Sequence, residues 1–338
     1  MGVVIGWDIG GVHLKAVRAE NGRIVKAAQY ASPLRAGTEP LLQAFARARA
    51  DMGRADRNVV TMTGELADTF ASRREGVERL AAIAAGELDG VSVYAGPDGY
   101  VNAADAGRHS AGVASANWHA CAALIARERQ SGLFMDVGST TTDVVPVAGG
   151  KVAARGYSDA ERLAAGELVY TGLVRGFVMA AATRAPLRGV WTSLVNENFA
   201  NMADVHRILG TLPDGVDLMA TADGRDKTVA ASRARLARMV GCDAADHDDD
   251  TWTALAWWFA EAQVRSIVDA AALVLSNAAP AASPPIIAAG IGVGVVAEVA
   301  RRLGCACIRF DEILDVAPGQ GAAACHCAPA AALTALVS

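Results

Sequence analysis

The chain has 338 residues, of which 52% are hydrophobic and 20% are charged, and it carries a formal net charge of −5. These values describe a globular protein with room for two domains, and they exclude a disordered chain. The negative net charge and an aromatic content of 5% argue against a nucleic-acid-binding surface.

The chain enters a predicted strand at once and has no basic segment before it, so we expect no signal peptide. We therefore expect a cytoplasmic protein whose six cysteines are reduced. The longest apolar stretch, residues 284–300, contains prolines and several glycines. It is predicted as strand, turn and helix, so we expect no membrane span.

The first half of the chain is predicted to begin with a hairpin over residues 3–9 and 12–19, followed by a strand over 23–31. Apolar residues at helical spacing predict a helix over 39–52. The elements predicted after it are a strand at 58–63, a helix at 66–85, a strand at 91–95 and a helix at 113–130.

The second half is predicted to open with another hairpin, at residues 133–147. Because strands and helices alternate along the whole chain, the predicted class is α/β. Three acids, Asp248 to Asp250, precede a helix at 251–276 and are interpreted as N-terminal capping charges rather than a metal cluster. The remaining predicted elements are helices at 160–178, within 196–240, at 295–303 and at 319–337, and a strand at 285–289.

The two hairpins carry the same pattern, in residues 5–25 and 133–153. Each copy has an apolar run, an Asp, a Gly-containing turn, a second apolar run and a Gly before a basic residue. Two such copies predict two related lobes, residues 1–129 and 130–338, that face each other across a phosphate-binding cleft. At one common offset, the aligned pairs are Asp8 with Asp136, Gly10 with Gly138, Val17 with Val145 and Gly22 with Gly150.

The first turn is predicted to bind phosphate through Gly10 and Gly11, which let the backbone approach an anion closely. Asp8 is a candidate ligand of Mg²⁺ and a candidate catalytic acid. His13 and Lys15 are candidate phosphate contacts, Lys15 as a point charge. The simpler alternative is a plain hairpin with a solvated lysine.

The second turn places a run of hydroxyl side chains between Asp136 and Asp143. Hydroxyl groups add side-chain donors to those of the backbone. One of the two carboxylates could bind Mg²⁺ and the other could accept a proton, so both are candidate catalytic residues, and Asp136 is a candidate metal ligand. The simpler alternative is that threonine suits a strand. The candidate phosphate-binding residues are Gly138, Ser139, Thr140, Thr141 and Thr142.

A glycine run follows the predicted strand at 285–289 and precedes a helix. Gly290, Gly292 and Gly294 would let the backbone approach a ligand at the helix N-terminus. Their spacing does not match the dinucleotide-binding fingerprint.

The order of these three motifs resembles that of the actin, sugar-kinase and Hsp70 superfamily (ASKHA). The resemblance implies two lobes, each with a ribonuclease-H-like mixed sheet, with the ligand cleft between them. It also implies that the first two motifs bind phosphates and metal and that the third binds adenosine, so Mg²⁺ and ATP are the implied cofactors. The last predicted helix is compatible with packing back on the N-terminal lobe.

Several segments are similar to a narrower branch, the hydantoinase/oxoprolinase-related proteins linked to tetrahydromethanopterin C1 transfer. That branch includes a synthase of methanofuran biosynthesis. The resemblance implies transfer of an aminomethylfuran-methyl group from its diphosphate to the phenol of γ-glutamyl-tyramine or a tyrosine analogue. A carboxylate near the reacting carbon could take the phenol proton, and we expect Asp136 or Asp143 to be this base. The matching segments are WDIGGVHLK, VTMTGELAD, SANW, MDVGSTTTDVVP, GELVYTG, NFANMADVHRILG and TADGRDK.

Three more polar residues are candidate substrate or nucleotide contacts. Glu65 ends a strand on the expected cleft side and could bind the substrate amine, with a helix-capping role as the alternative. Asn117 begins a helix, and Glu167 lies in the predicted helix after the second hairpin. The expected partners are small molecules, without nucleic acid or membrane, and a homodimer is compatible with the sequence.

Two other functions remain open from the sequence: an ATP-dependent kinase of the same fold, and a nucleotide-gated assembly protein. The intact acids favour catalysis over assembly. The pairs Cys305 with Cys307 and Cys325 with Cys327 could be imagined as a zinc site. However, their spacing is tighter than that of structural zinc sites, and buried thiols are the simpler interpretation.

Overall fold

The computed structural model describes residues 2–277 and 284–337. A mixed six-stranded sheet occupies the first part of the chain, in the order β3-β2-β1-β4-β5-β6. The first three strands form an antiparallel meander, and β4 pairs in parallel with both β1 and β5. Its strands are β1 (Val3–Ile9), β2 (His13–Glu20), β3 (Arg23–Ala31), β4 (Arg57–Met62), β5 (Val91–Tyr94) and β6 (Tyr100–Asn102).

A second mixed sheet repeats this beginning, in the order β10-β8-β7-β13-β14, with β9 beside β8. Here too an antiparallel hairpin, β7–β8, is joined through its first strand to a later parallel strand, β13. A separate hairpin joins β11 to β12. The strands are β7 (Ser131–Val137), β8 (Thr142–Ala148), β9 (Lys151–Val152), β10 (Leu168–Val169), β11 (Arg184–Leu187), β12 (Val190–Ser193), β13 (Ile286–Ala289) and β14 (Cys307–Arg309).

Helices cover the sheets and fill the space between them. The helices are α1 (Glu39–Met52), α2 (Arg73–Glu87), α3 (Ser110–Val113), α4 (Asn117–Glu128), α5 (Asp159–Ala165), α6 (Val178–Ala181), α7 (Met202–Ile208), α8 (Val229–Arg238), α9 (Asp249–Asn277), α10 (Val293–Leu303), α11 (Gly321–His326) and α12 (Ala328–Leu336). Among the helices described, none is both long and apolar enough to cross a membrane.

The largest hydrophobic cluster joins the two sheets through α4 and α12. It contains Val17 of the first sheet, Phe134 of the second, Trp118 of α4 and Leu333 of α12. Helix α12 lies so close to β1 that a side chain at Gly6 would overlap the backbone of Ala330. The end of the chain therefore packs on the strand that leads into the first turn.

The predicted hairpins and the helix over 39–52 are confirmed within a residue or two. Asp248 also has the predicted capping role, because its Oδ1 accepts a hydrogen bond of 2.9 Å from the N–H of Thr251. The helix predicted over 66–85 begins only at Arg73, where Ser72 caps it. The helix predicted over 113–130 begins at Asn117.

The helix predicted over 160–178 is confirmed up to Ala165 and is wrong for residues 166–177. Helix α5 ends at Gly166, whose φ of 74° lies in the left-handed region that ends helices. The short strand β10 follows, and residues 171–177 are not helical. A local pattern of apolar residues could not reveal that this segment pairs with β8.

Two other predicted helical regions are interrupted. Between α7 and α8, residues 209–228 are irregular and contain three glycines with positive φ, Gly210, Gly215 and Gly224. The helix predicted over 319–337 is broken at Cys327, and Pro329 lies at the start of the second part, where proline is tolerated. The hairpin β11–β12 was not predicted.

Candidate functional site

The two hairpin turns have the same backbone geometry. In the first, the N–H of Gly10 donates to the carbonyl of His13 over 2.9 Å, and in the second the N–H of Gly138 donates to that of Thr141 over 2.9 Å. Asp8 lies opposite Lys15 in β1–β2, at the register position where Asp136 lies opposite Asp143 in β7–β8. The sequence repeat is therefore also a structural repeat, with a lysine in one copy and an acid in the other.

Asp8 and Lys15 form a partly buried ion pair beside the first turn. Lys15 Nζ lies 3.4 Å from Asp8 Oδ2, and Asp8 is only 2% exposed. Burial raises the pKa of Asp8, although Lys15 opposes this. Burial alone would lower the pKa of Lys15, but attraction to Asp8 and Asp136 outweighs it and raises that pKa. Lys15 therefore remains a cation under the influence of acids from both hairpins.

Asp136 is the acid of the second turn with the most unusual environment. Burial raises its pKa to about 7, and the charges of Asp143 and Asp8 add to this while Lys15 opposes it. A side chain at Gly290, whose φ is 83°, would overlap Asp136 Oδ1. The absence of a side chain at Gly290 thus lets the turn before α10 lie directly against this carboxylate.

The glycine run divides into packed and open positions. The N–H of Gly292 donates to the carbonyl of Val137 over 2.9 Å, and a side chain there would overlap that of Val137. By contrast, a side chain at Gly294 would meet nothing within 4 Å. Gly290 and Gly292 therefore serve packing around Asp136, and the backbone at Gly294 is the part of the run that is open.

Asp143 is held by a buried arginine that the sequence analysis did not identify. Arg162 of α5 contacts Asp143 Oδ1 over 2.8 Å and donates to the carbonyl of Glu167 over 2.8 Å. Its guanidinium also lies 4.2 Å from the ring centroid of Trp118. Asp143 Oδ1 therefore already has a cation in contact, unlike Asp136, for which no ion pair is formed among the described residues.

The hydroxyl groups after Gly138 differ in their roles. Thr142 is buried, and its Oγ1 donates to the carbonyl of Thr171 over 2.7 Å, so it supports the turn from within. The hydroxyls of Ser139 and Thr140 lie 3.4 Å apart at part-buried positions. Ser139, Thr140 and Thr141 are therefore the hydroxyl residues left to contact a ligand.

Residues 171–175 lie tightly against the second turn. The N–H of Arg175 donates to the carbonyl of Ser139 over 2.7 Å, and a side chain at Gly172 would come within 2.5 Å of Thr140 N. The Arg175 guanidinium lies 3.5 Å from Thr140 Oγ1. Burial and the charge of Arg35 lower the pKa of Arg175, so these two arginines lie within electrostatic range of each other.

Neither Arg35 nor Arg175 forms an ion pair within the described part of the chain. With Lys15 they place three cationic side chains around the two turns. The sequence analysis missed both arginines, because each is an isolated basic residue outside the repeated motif.

His13 is buried, and burial lowers its pKa to about 4, with Lys15 and Arg175 contributing. Its imidazole is therefore neutral near pH 7 and is not an additional cation for phosphate. Its Nε2 has no hydrogen-bond partner among the described groups. Gly11 is open, since a side chain there would meet nothing within 4 Å.

Two of the predicted ligand contacts have local partners. Both carboxylate oxygens of Glu167 accept backbone N–H groups, from Arg155 over 2.6 Å and from Gly156 over 3.1 Å. Glu167 therefore holds a loop in place, and its contact with a ligand stays a prediction. Asn117 begins α4, and its Oδ1 accepts a hydrogen bond of 2.7 Å from the N–H of Trp118.

Within residues 2–277 and 284–337, no three His, Cys, Asp or Glu side chains are grouped so that they could hold a metal ion. The cysteine pairs thus form no zinc site there. Mg²⁺ is usually bound by one or two carboxylates together with substrate phosphates and water. Asp8, whose buried Oδ1 has no partner among the described atoms, fits that requirement.

A cavity of about 210 Å³ lies beside the residues that pack on the second turn. Tyr170 and Phe177, both largely exposed, line it. Its polar lining includes Gln263, whose Nε2 donates to Thr171 Oγ1 over 3.0 Å. The other lining residues are uncharged: Val169, Thr171, Gly176, Ala180, Ala181, Met202, Ala262 and Ser266.

Comparisons with known proteins agree with this architecture. The chain is 29% identical over 250 residues to the (4-{4-[2-(gamma-L-glutamylamino)ethyl]phenoxymethyl}furan-2-yl)methanamine synthase of Methanocaldococcus jannaschii, covering 73% of this chain and 74% of that one. It is 30% identical over 111 residues to the synthase of the same name from Methanococcus vannielii, covering 33% of this chain and 50% of that one.

The structure also resembles the nucleotide-free structure of acetone carboxylase, a protein described as carrying out ATP-dependent acetone carboxylation. The TM-score is 0.57 and the identity is 11%. The match covers 98% of this chain and 70% of that one. The predicted α/β fold with two mixed sheets is confirmed. The model of the hydantoinase/oxoprolinase family matches residues 56–328. The chain therefore belongs to the hydantoinase/oxoprolinase family.

Proposed function

We propose that this protein is a transferase of methanofuran-type cofactor synthesis. It would join an aminomethylfuran-methyl diphosphate to the phenol of γ-glutamyl-tyramine, forming an ether and releasing diphosphate. The observation that carries the proposal is the unequal pair of turns. One turn offers Asp8 with Lys15, and the other offers Asp136 beside hydroxyl groups and Arg175. The names of the two curated relatives support the same product.

The diphosphate would lie between the two turns. Their backbone N–H groups and the side chains of Lys15, Arg35 and Arg175 would neutralise its charge, which makes it a better leaving group. Mg²⁺ held by Asp8 would add positive charge at the same group. Lys15 is suited to this task because attraction to Asp8 and Asp136 keeps it protonated in its partly buried position.

The reaction breaks the bond between the furan methylene carbon and the diphosphate oxygen. The phenol oxygen forms the new bond to that carbon, and the phenol proton must be taken up by a base. We assign this role to Asp136, because Asp143 is already paired with Arg162. Its raised pKa, at about 7, makes it a stronger base than an ordinary carboxylate.

The uncharged cavity at residues 171–177 is our candidate position for the acceptor ring. An engineered apolar cavity of about 150 Å³ accepts benzene, so a cavity of about 210 Å³ has room for a phenol. The aminomethylfuran donor carries an ammonium and a diphosphate, and a lining without charged groups suits it less well. Val169 of the lining pairs with Thr142, next to Asp143 in β8.

The experiment supplies the purified protein with Mg²⁺, the furan diphosphate and γ-glutamyl-tyramine, and measures diphosphate and ether. A parallel reaction replaces the furan diphosphate with ATP and measures ADP. We expect ether and diphosphate in equal amounts, and none from Asp136→Asn. Asp250→Asn, at an exposed position of α9, is the matched control. ADP formation that depends on an acceptor, without any ether, would instead support the kinase alternative.

A further inference from the structure

Another buried carboxylate, that of Glu65, lies outside the two hairpins. It follows β4, is only 1% exposed, and its Oε1 accepts a hydrogen bond of 2.9 Å from Ser115 Oγ. Its other oxygen, Oε2, is buried and has no hydrogen-bond partner among the described atoms. A buried carboxylate oxygen without a hydrogen-bond partner costs free energy, so the presence of an acid at position 65 requires an explanation.

The residues around Glu65 hold it in place but do not neutralise it. Ser115 has a φ of 52°, in the left-handed region that non-glycine residues rarely adopt. Its Oγ also lies 3.5 Å from Asp159 Oδ2, and Asp159 is paired with Arg73 over 2.9 Å. Arg73, whose charge acts on Glu65, is therefore already in contact with a different acid.

The close packing of α2 against Glu65 also fixes the position of this residue. A side chain at Gly76 would come within 2.6 Å of the backbone of Glu65. Burial raises the pKa of Glu65 to about 7, and Asp159 adds to this, while the backbone N–H of Glu65 itself, Ser115 and Arg73 oppose it. A cation bound at Oε2 would remove this penalty.

The carboxylate is next to the first phosphate turn. The N–H of Thr63 donates to the carbonyl of Ile9 over 3.0 Å, and a side chain at Gly64 would come within 3.2 Å of that same oxygen. The chain next to Glu65 therefore contacts the turn at residues 8–11, and one ligand could bind to both. The ligand should carry a cation at one end and phosphate at the other.

We propose that Glu65, held by Ser115, binds the primary ammonium of the diphosphate donor. This inference rests on the proposed function, in which the donor carries an aminomethyl group on its furan ring. The amino-acid end of the acceptor fits less well, because its ammonium is accompanied by a carboxylate that Glu65 and Asp159 would repel. An ammonium has three N–H donors, and Glu65, Ser115 and Asp159 offer oxygens close together.

The test compares two donors in the ether-forming assay, one with the aminomethyl group and one with methyl in its place. The wild type should prefer the amine donor. Glu65→Gln, which keeps the size of the side chain, should raise KM for the amine donor at least about 30-fold, as when one partner of a buried charge pair is lost. KM for the methyl donor should stay within about twofold. Glu78→Gln, at an exposed position of α2, is the control and should change neither.

A binding measurement keeps this inference separate from the proposed function. Calorimetry with the aminomethylfuran alcohol plus diphosphate, and with its methyl analogue, needs no turnover. Loss of the amine preference in Glu65→Gln supports the inference even if the wild type makes no ether, a result that would overturn only the proposed function. An unchanged preference in a folded Glu65→Gln protein would overturn the inference, whether or not ether forms.

Discussion

Lys15 and Asp143 occupy the same register position in the two hairpins, one opposite Asp8 and the other opposite Asp136. The duplicated backbone thus carries opposite charges at equivalent places. Lys15 contacts Asp8 within its own hairpin, whereas Asp143 is held by Arg162 from α5. The first hairpin is therefore suited to binding phosphate, and the second hairpin is suited to proton transfer.

Replacing Lys15 tests the phosphate side. Lys15→Met removes the cation between the two turns and leaves buried Asp8 without its partner. We expect kcat/KM for the diphosphate donor to fall at least about 100-fold, with a much smaller change in KM for the phenol acceptor. Steady-state kinetics with each substrate varied in turn would measure this. Lys151→Met, at an exposed site in β9, is the control, and equal losses in both variants would contradict the assignment.

Arg162 is expected to matter for stability as well as for position. Arg162→Met leaves Asp143 without its cation, and breaking a buried ion pair from one side typically costs about 3 kcal/mol of unfolding free energy. Urea denaturation of the variant would measure this loss. Arg162→Met combined with Asp143→Leu should recover part of it. A loss no larger than that of Arg301→Met, at an exposed site of α10, would show that the pair contributes little.

Two alanine substitutions in the glycine run should have opposite effects on stability. Gly290→Ala adds a side chain that overlaps Asp136 at a positive φ, so we expect a loss of about 2 kcal/mol or more and a loss of turnover. Gly294→Ala enters open space inside α10, where alanine favours a helix by about 1 kcal/mol. Thermal unfolding of both variants would measure these effects, and equal stabilities would contradict the structural roles assigned here.

The buried side chain of His119 should make the unfolding free energy of the protein depend on pH. Burial lowers its pKa from 6.5 to about 4, and its Nδ1 lies 2.8 Å from Tyr94 Oη. Because the unfolded chain takes up this proton near pH 6.5 and the folded chain only near pH 4, stability is lost as the pH falls across that window. His119→Gln should therefore show a shallower fall in unfolding free energy between pH 6.5 and 4. Urea titrations at several pH values would measure it, and identical slopes would refute the assignment.

The hairpins were predictable because their signals are local. Alternating apolar residues and glycine turns define the strands, and the repeat identifies Asp8 and Asp136 as equivalent. Residues 166–177 do not continue the predicted helix, because their conformation depends on pairing with β8 and on contacts with the second turn. Those interactions join parts of the chain that no local window contains.

The site was predictable only where a motif surrounds the residue. Arg162 and Arg175 lie in segments without a recognisable motif. Their importance comes from the side chains that they contact in the folded protein, Asp143 and Thr140 respectively. Glu167 looked like a ligand contact because it is an acid near the second hairpin, yet both its oxygens bind backbone N–H groups. Polar residues can serve the fold or a ligand, and the hydrogen-bond partners separate the two.

The most direct measurement follows an oxygen label through the reaction. The protein is supplied with Mg²⁺, the furan diphosphate and γ-glutamyl-tyramine labelled with heavy oxygen in its phenol, with ATP replacing the furan diphosphate in a second reaction. Transfer of the furan methyl group predicts that the label stays in the ether and that the released diphosphate is unlabelled. Label found in a phosphate ester of the phenol, formed from ATP without any ether, would contradict the proposed transferase.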